Sequence, residues 1–307
     1  MVNVWMWSDF IENWYFYFIL KIETHTVPQI PKRQRLQEYG VGIFEAFPTK
    51  SALKKALKKG YIKVDGVIAS TATLISGGEQ ISLDIPLETT TKRSFALPLN
   101  VLFEDDYLAV IHKPAGIEVS GNKFKTLANA LPRNLEPSSL SDATIPQPVH
   151  RLDYATTGIV LVGKTASSIR ALNKLFEEKK IDKTYYAITI GTMKRNGRIE
   201  TAIDGKPAQS DYEVMKSVPS DRFGFLNLVN LHPKTGKRHQ LRKHLFSIGH
   251  PILGDKDYAL DGLILKGKGL YLHAYSLEFE HPFTKNPLHI TDGLPEKFGK
   301  IFHGKGV

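Results

Sequence analysis

A proline-rich loop leads into an uninterrupted apolar run through the segment His150-Arg-Leu-Asp-Tyr-Ala-Thr-Thr-Gly-Ile-Val-Leu-Val-Gly163. A short apolar run bounded by turn signals predicts a strand buried on both faces, and Gly158–Gly163 fits that description. Asp153 therefore stands at the mouth of a buried strand, on a rigid and poorly hydrated support. A carboxylate in such a place can act as a nucleophile or a base. The alternative is a turn aspartate that bonds the amide of Thr156 or Thr157.

The segments around this strand predict an α+β fold with a largely antiparallel mixed sheet. Strand-like pieces precede it at Val101–Phe103 and Leu108–Ile111, and Thr184–Ile190 follows it. Thr165 is placed to cap a helix. Few segments have helical periodicity, and the strands do not alternate regularly with helices, so a doubly wound parallel sheet is not expected.

The 307 residues suffice for one large unit and one small one. We predict a small basic unit at residues 33–86, a polar linker at 87–97, and the larger, catalytic unit at 98–307. Residues 1–32 form an aromatic-rich extension with no assigned role. Its apolar run, Trp14 to Leu20, is shorter than the ~20 residues that span a bilayer, so no membrane partner is expected.

The small unit is predicted to contain a basic helix that Ser51 caps and that runs to Lys59, with Gly60 just beyond it. Its outer face carries Lys54, Lys55, Lys58 and Lys59. Asp65-Gly66 then predicts a tight hairpin. A basic helix followed by a small hairpin can lie along a phosphate backbone. The alternative is a solvated lysine face with no ligand.

The composition limits which partners and which kinds of reactive site the chain can have. The formal net charge of +10 suits a polyanionic partner such as RNA, DNA or anionic lipid. The absence of cysteine excludes disulfides, thiolate zinc sites and thiol nucleophiles, and it fits a cytoplasmic location. His250, His273 and His281 lack the spacing of a metal site, and His273 is predicted to be a core histidine. No metal, cofactor or obligatory protein partner is expected.

A second basic helix is predicted from about His239 to Ile248. Leu241, Leu245 and Ile248 share its apolar face, whereas the opposite face carries His239, Arg242, Lys243 and Phe246. An arginine there could pair with a carboxylate in a cleft and keep it ionised. The alternative is phosphate binding without a catalytic role.

Several linked motifs resemble those of the RluA-type pseudouridine synthases in order and spacing. They are His150-Arg-Leu-Asp153 with Thr157-Gly158, Lys183-Thr-Tyr185-Tyr-Ala187, and His239-Gln-Leu-Arg242. Lys113-Pro-Ala-Gly116, Gly249-His-Pro-Ile-Leu-Gly-Asp255 and Leu272-His-Ala274 extend the likeness across residues 98 to 283. The basic unit resembles the S4-type RNA-binding domain. Thr157 and Lys237-Arg238 depart from the usual residues, so the likeness assigns no subfamily.

This resemblance implies that the chain converts uridine in structured rRNA or tRNA to pseudouridine. Asp153 would be the catalytic carboxylate, Arg151 would displace the uridine, Tyr185 would pack against the flipped base, and Arg242 would pair with Asp153. Further contacts with RNA or substrate are expected from His150, His239, Gln240 and Leu272. The carboxylate could attack C1′ or C6, or act as a base at C2′.

Two other functions are compatible with parts of the sequence. A non-catalytic RNA-binding protein would explain the basic segments, although simple binding requires no carboxylate that faces RNA. A carboxylate glycosidase usually needs two acidic residues that flank one bond. The sequence offers one convincing carboxylate, Asp153, so the second alternative is disfavoured.

Overall fold

The computed structural model describes residues 23–44, 47, 49–83 and 95–302, so the aromatic-rich residues 1–20 lie outside the described part. The chain divides between residues 91 and 92 into two compact units, at a point within the predicted linker. The last residues predicted as linker belong to the second unit and pack within it. The Phe95 ring packs against Phe124, and the Leu97 carbonyl accepts a hydrogen bond from Asn134.

The first unit is built on a four-stranded antiparallel sheet. Its elements are β1 (Glu23–Thr26), β2 (Gln34–Arg35), α1 (Leu36–Tyr39), α2 (Lys50–Lys58), β3 (Ile62–Val64), β4 (Val67–Ile68), β5 (Leu74–Ile75) and β6 (Gln80–Leu83). The sheet has the order β1-β6-β3-β4, and β2 pairs with β5. Because β1 pairs with β6 and Val27 is buried, the predicted start of this unit at residue 33 is too late.

The basic helix forms as predicted, with one correction at its start. Thr49, and not Ser51, caps α2, because the Thr49 hydroxyl accepts a hydrogen bond from the Ala52 amide. The four lysines predicted on its outer face are exposed. The hairpin turn at Asp65-Gly66 is confirmed, and both residues have the positive φ angles that such a turn requires.

The second unit contains a ten-stranded sheet that is antiparallel at every strand pair but one. Its elements are β7 (Val101–Glu104), β8 (Leu108–Lys113), α3 (Leu127–Ala130) with a 3₁₀ turn (Leu131–Arg133), β9 (Ala143–Pro148), β10 (Thr157–Thr165), α4 (Ala166–Glu177), β11 (Asp182–Ile190), β12 (Asn196–Ile199), β13 (Ser210–Ser220), β14 (Gly224–Pro233), α5 (Gln240–Ser247), β15 (Leu272–Glu280), β16 (Pro287–Thr291) and α6 (Glu296–Phe302). The main order is β12-β13-β14-β11-β15-β10-β8-β7, with β16 on β15 and β9 on β10. The predicted α+β class with a largely antiparallel mixed sheet is confirmed. Across the described ranges, none of the helices is long and apolar enough to cross a membrane.

The predicted buried strand is β10, and it lies inside the sheet. Thr165 caps α4 as predicted, and a reciprocal bond with Ser168 completes the cap. The parallel pairing joins β10 to β15 over only two residues, Thr157 and Gly158. Strand β11 pairs with the other edge of β15 and brings Tyr185 opposite Ala274, the partner of Gly158. Three strands therefore meet directly after the Asp153 loop.

Gly158 makes this junction possible. Its φ is +113°, a region that disfavours residues with a Cβ, and a Cβ there would collide with the Ala274 carbonyl oxygen. The atoms nearest to such a Cβ are all backbone atoms of Ala274, so they cannot swing away as a side chain could. Only glycine lets β10 and β15 approach this closely at the end of the Asp153 loop.

We expect Gly158→Ala to lower the free energy of unfolding by more than about 2 kcal/mol, since it combines backbone strain with overpacking. Gly293→Ala is the control, because its φ is ordinary and no atom lies within 4 Å of the added Cβ. Denaturant unfolding measures both variants. Equal stabilities would show that the junction tolerates a Cβ.

Candidate active site

The Asp153 side chain projects from the loop between β9 and β10, about one-fifth exposed. Leu152 before it is buried with Val119 and Leu127, which fixes the start of the loop. The turn is closed by the Thr156 amide, which donates to the Asp153 main-chain carbonyl at 3.1 Å. Nowhere in the described part of the chain does the Asp153 carboxylate accept a hydrogen bond. The structure therefore gives no support to the turn-cap alternative.

Lys113 fixes the backbone of the Asp153 loop. Its fully buried ammonium donates to the carbonyls of Pro114, Tyr154 and Thr156 at 2.9, 3.3 and 2.8 Å. Burial lowers the pKa of Lys113 to about 8, and the negative charge of Asp153 opposes that shift. The sequence analysis included Lys113 in a family motif but predicted no role for it at the Asp153 loop. The sequence signal for such a role is a lysine that ends an apolar run.

Arg242 does not lie on an exposed cationic face, as the helical pattern predicted, but is only 6% exposed. Its Nε and Nη2 each donate to the Asp255 carboxylate at 2.6 Å, and Nη2 also donates to Asp257 at 2.8 Å. Its Nη1 lies 3.8 Å from Asp153 Oδ2, an ionic contact longer than a hydrogen bond. Asp255 is thus the principal partner of Arg242, and sequence reasoning missed it.

The guanidinium of Arg242 keeps its positive charge. Burial acts to lower the pKa of Arg242, but the hydrogen bonds from Asp255 and Asp257 outweigh burial and raise it above its usual value. The guanidinium carbon also lies 4.9 Å from the centre of the Tyr258 ring. Arg242 therefore presents a fixed positive charge to Asp153.

His239 contacts the other carboxylate oxygen. Its Nε2 lies 3.7 Å from Asp153 Oδ1, and its Nδ1 shares a 3.0 Å hydrogen bond with the Tyr258 hydroxyl. Burial lowers the pKa of His239, while Asp153 opposes and Arg242 reinforces the shift. His239 precedes α5 with φ +56°, a left-handed conformation that costs about 1–3 kcal/mol. This conformation sets the direction in which the imidazole leaves the backbone.

Tyr185 approaches from β11, and its ring contacts two apolar clusters of the sheet. Burial, reinforced by the charge of Asp153, raises the pKa of Tyr185 far above its usual value. The hydroxyl therefore stays protonated and neutral. The effect of the Asp153 charge on this pKa means that the two side chains are close, and the packing of Tyr185 against a flipped base stays a prediction.

Three side chains predicted to contact RNA or substrate have partners inside the protein. His150 Nε2 accepts a hydrogen bond from the Leu161 amide, and burial lowers the His150 pKa to about 3. Gln240 is buried, bonding Thr235 and Lys237 through Oε1 and residues 209 and 210 through Nε2. Leu272 packs in the apolar core. The residue types in a motif do not reveal such internal hydrogen bonds and packing contacts.

His273 is a buried core histidine, as predicted. Its Nδ1 shares a 2.8 Å hydrogen bond with the Thr157 hydroxyl, and its Nε2 lies 3.5 Å from Asp292. Burial lowers the pKa of His273 to about 4. Among the residues that the structure describes, no cluster of histidine and acidic side chains could hold a metal ion.

Comparison with known proteins identifies similar chains. Residues 107–247 match the family described as RNA pseudouridylate synthase. A "Ribosomal large subunit pseudouridine synthase D" from Vibrio cholerae is 33% identical over 89% of this chain and 91% of its own length. An "Uncharacterized RNA pseudouridine synthase" from Aquifex aeolicus is 31% identical over 88% and 93%. The solved "Human RNA Pseudouridylate Synthase Domain Containing 4" superposes with a TM-score of 0.54 at 27% identity, covering 66% of this chain and 92% of that one.

We expect Asp255→Asn to lower the free energy of unfolding by about 3 kcal/mol or more, because it leaves a buried guanidinium without its main counter-charge. Asp257→Asn is the matched control. The Asp257 side chain is 64% exposed, so its removal should cost less than about 1 kcal/mol. Urea unfolding of both variants tests the ranking, and a larger loss for Asp257→Asn would contradict it.

Proposed function

The chain belongs to the RNA pseudouridylate synthase family and is therefore an isomerase of uridine in RNA, and from this we propose that it modifies large-subunit ribosomal RNA with Asp153 as catalytic carboxylate. The printed name of the Vibrio cholerae relative supports the substrate. The observation that carries the catalytic assignment is the Asp153 carboxylate, which faces Arg242 and His239 without accepting a hydrogen bond. Its lone pairs are thus available to a substrate. Such a substrate also implies a cytoplasmic location.

The reaction breaks the N1–C1′ bond of uridine, turns the uracil and joins its C5 to C1′. Attack at C1′, attack at C6 and proton removal at C2′ all begin from an ionised carboxylate. We assign to Arg242 the role of facing that carboxylate with a positive charge, since a nearby cation interacts favourably with a carboxylate. Its own charge is fixed by Asp255 and so survives any change at Asp153.

The uracil must be held while it turns. Tyr185 offers an aromatic face at the Asp153 loop, and its raised pKa keeps that face neutral. We assign to it the role of packing against the flipped base, in a pocket that excludes water. His239, whose Nε2 is also near Asp153, is placed to contact the same nucleotide.

Extraction of the uridine from a helix costs a few kcal/mol. Arg151 is exposed two residues before Asp153 and is assigned to displace the base from its stack. The lysines of α2 are assigned to phosphate binding, which supplies affinity that offsets this cost. They belong to the first unit, so we give them no part in the chemistry.

Pseudouridine mapping in cellular RNA tests the proposal. We expect cells without the gene to lose specific pseudouridines from large-subunit ribosomal RNA, and the wild-type gene to restore them. A gene with Asp153→Asn should not restore them, although the protein should bind RNA within about threefold of wild type, because only the reactive oxygen is lost.

Asp221→Asn, an exposed position in the turn between β13 and β14, is the control and should restore the sites. Restoration by Asp153→Asn would remove Asp153 from the chemistry. Loss confined to transfer RNA would overturn the substrate assignment.

The lysine face of α2 is tested by replacing Lys54, Lys55, Lys58 and Lys59 with alanine. Four lost phosphate contacts should flatten the dependence of log Kd on log salt concentration by up to about 3. The control changes the same net charge in the second unit, at exposed lysines that each pair with a glutamate: Lys174, Lys180, Lys285 and Lys300. Equal slopes for the two variants would mean that the α2 lysines bind no phosphate.

A further inference from the structure

Two exposed aromatic rings are presented by the second unit beside the Asp153 loop. Tyr154, the residue after Asp153, is 58% exposed, and Phe124 is 44% exposed. Exposed aromatic side chains offer faces on which nucleic-acid bases can stack. Neither ring has a role in the chemistry described above.

The backbone under the Tyr154 ring is rigidly held. The Tyr154 carbonyl accepts hydrogen bonds from the Gly116 amide at 2.8 Å and from Lys113 Nζ at 3.3 Å. The Tyr154 hydroxyl lies 3.9 Å from the position of a Cβ on Gly116. The ring is thus placed over the turn after β8, and a large part of it stays open to solvent.

The segment that carries Phe124 is held next to this loop. The Phe124 carbonyl accepts a 2.8 Å hydrogen bond from Asn129 Nδ2, and its ring lies 5.8 Å from the Phe95 ring, centre to centre. Val119 at the start of this segment packs in the same apolar cluster as Leu152, which precedes Asp153. The two segments that carry the exposed rings are therefore neighbours in the fold.

Cationic side chains lie on the segments that carry the rings. Lys123 donates a 2.7 Å hydrogen bond to Glu118, which raises the Lys123 pKa, and Tyr154 adds to that shift because the two side chains are close. Lys125 and Arg151 are exposed on the same segments. A surface of open aromatic rings interleaved with cations fits single-stranded RNA, whose bases stack on the rings while its phosphates contact the cations.

We propose that Tyr154 and Phe124 form a stacking platform for the unpaired bases that flank the target uridine. This inference rests on the proposed function at Asp153. Removal of a uridine from its stack leaves its neighbours without a partner on one face, and an open ring one residue from Asp153 is placed to replace that partner. The platform would make the enzyme sensitive to the bases next to the uridine, without contact with the uridine itself.

Binding to two matched RNAs tests the platform. One is a short labelled single strand with a central uridine flanked by adenosines, and the other has the same backbone but keeps only the uridine base. The full chain carries Asp153→Asn, so that no turnover interferes. We expect Tyr154→Leu to weaken binding of the adenosine-flanked RNA by about fivefold or more, and binding of the RNA without flanking bases by less than about twofold. Phe124→Leu should show the same selectivity.

Two further variants serve as controls. Tyr154→Phe keeps the ring and should bind both RNAs within about twofold of the parent. Phe225→Leu removes an exposed ring from β14, at the beginning of that strand, and should change neither affinity. A 2-aminopurine next to the uridine should lose fluorescence on binding the parent and much less on binding Tyr154→Leu, which reports stacking directly.

Equal weakening of both RNAs by Tyr154→Leu would overturn the platform, as would a parent that binds both RNAs equally or binds neither. These outcomes are separate from the proposed function. If the wild-type gene restores pseudouridines in cells while the binding data show no base selectivity, the platform is wrong and the function stands. If the gene restores no site, the proposed function itself fails.

Discussion

A buried guanidinium must have a counter-charge, and in this protein the pair of Arg242 with Asp255 meets that need. An uncompensated buried charge would cost several kcal/mol, so the position of α5 depends on the turn that delivers Asp255. That turn is fixed by backbone bonds, since the Leu253 amide donates to Ile188 and the Asp255 amide donates to Ile252. The Asp255 carboxylate also accepts from the amides of the two residues, 257 and 258, that complete the site.

Arg242 divides its hydrogen-bond donors unequally among its acidic partners, and this division determines what Asp153 faces. The two short hydrogen bonds occupy the Nε and Nη2 edge, which turns Nη1 toward Asp153 at 3.8 Å. At that distance the cation acts through its charge and does not occupy a carboxylate lone pair. The Asp153 carboxylate thus faces a cation and still has unbonded oxygens. A direct bidentate pair between Arg242 and Asp153 would have stabilised the charge but blocked the oxygens.

Local patterns in the sequence predicted local structure. The apolar run predicted β10, Thr165 predicted the start of α4, and Asp65-Gly66 predicted the hairpin, because each depends on neighbours within a few residues. Thr49 and Ser51 both have capping hydroxyls, and side-chain periodicity does not fix a helix boundary to within one turn.

What the sequence could not predict depends on tertiary contacts. A helical projection puts Arg242 opposite the apolar face, and only the fold brings in Asp255 from a turn 13 residues later along the chain. Gln240 is likewise polar in sequence but buried, because its partners come from a loop and from the residues before β13. Strand β1 was missed because its residues, Glu-Thr-His-Thr, have no apolar alternation and are placed by pairing with β6.

Two buried cations act on Asp153 in different ways. Lys113 bonds three carbonyls and so fixes the backbone of the loop, whereas Arg242 sets the charge that the carboxylate faces. Neither task uses the side chain of Tyr154, although its carbonyl is one of those that Lys113 holds. The residue after Asp153 can therefore change its side chain without moving the carboxylate, provided that its backbone stays in place. Under the proposed function, this separation would let contacts with the RNA around the target uridine vary while the chemistry stays constant, because function resides in the site and not in the fold as a whole.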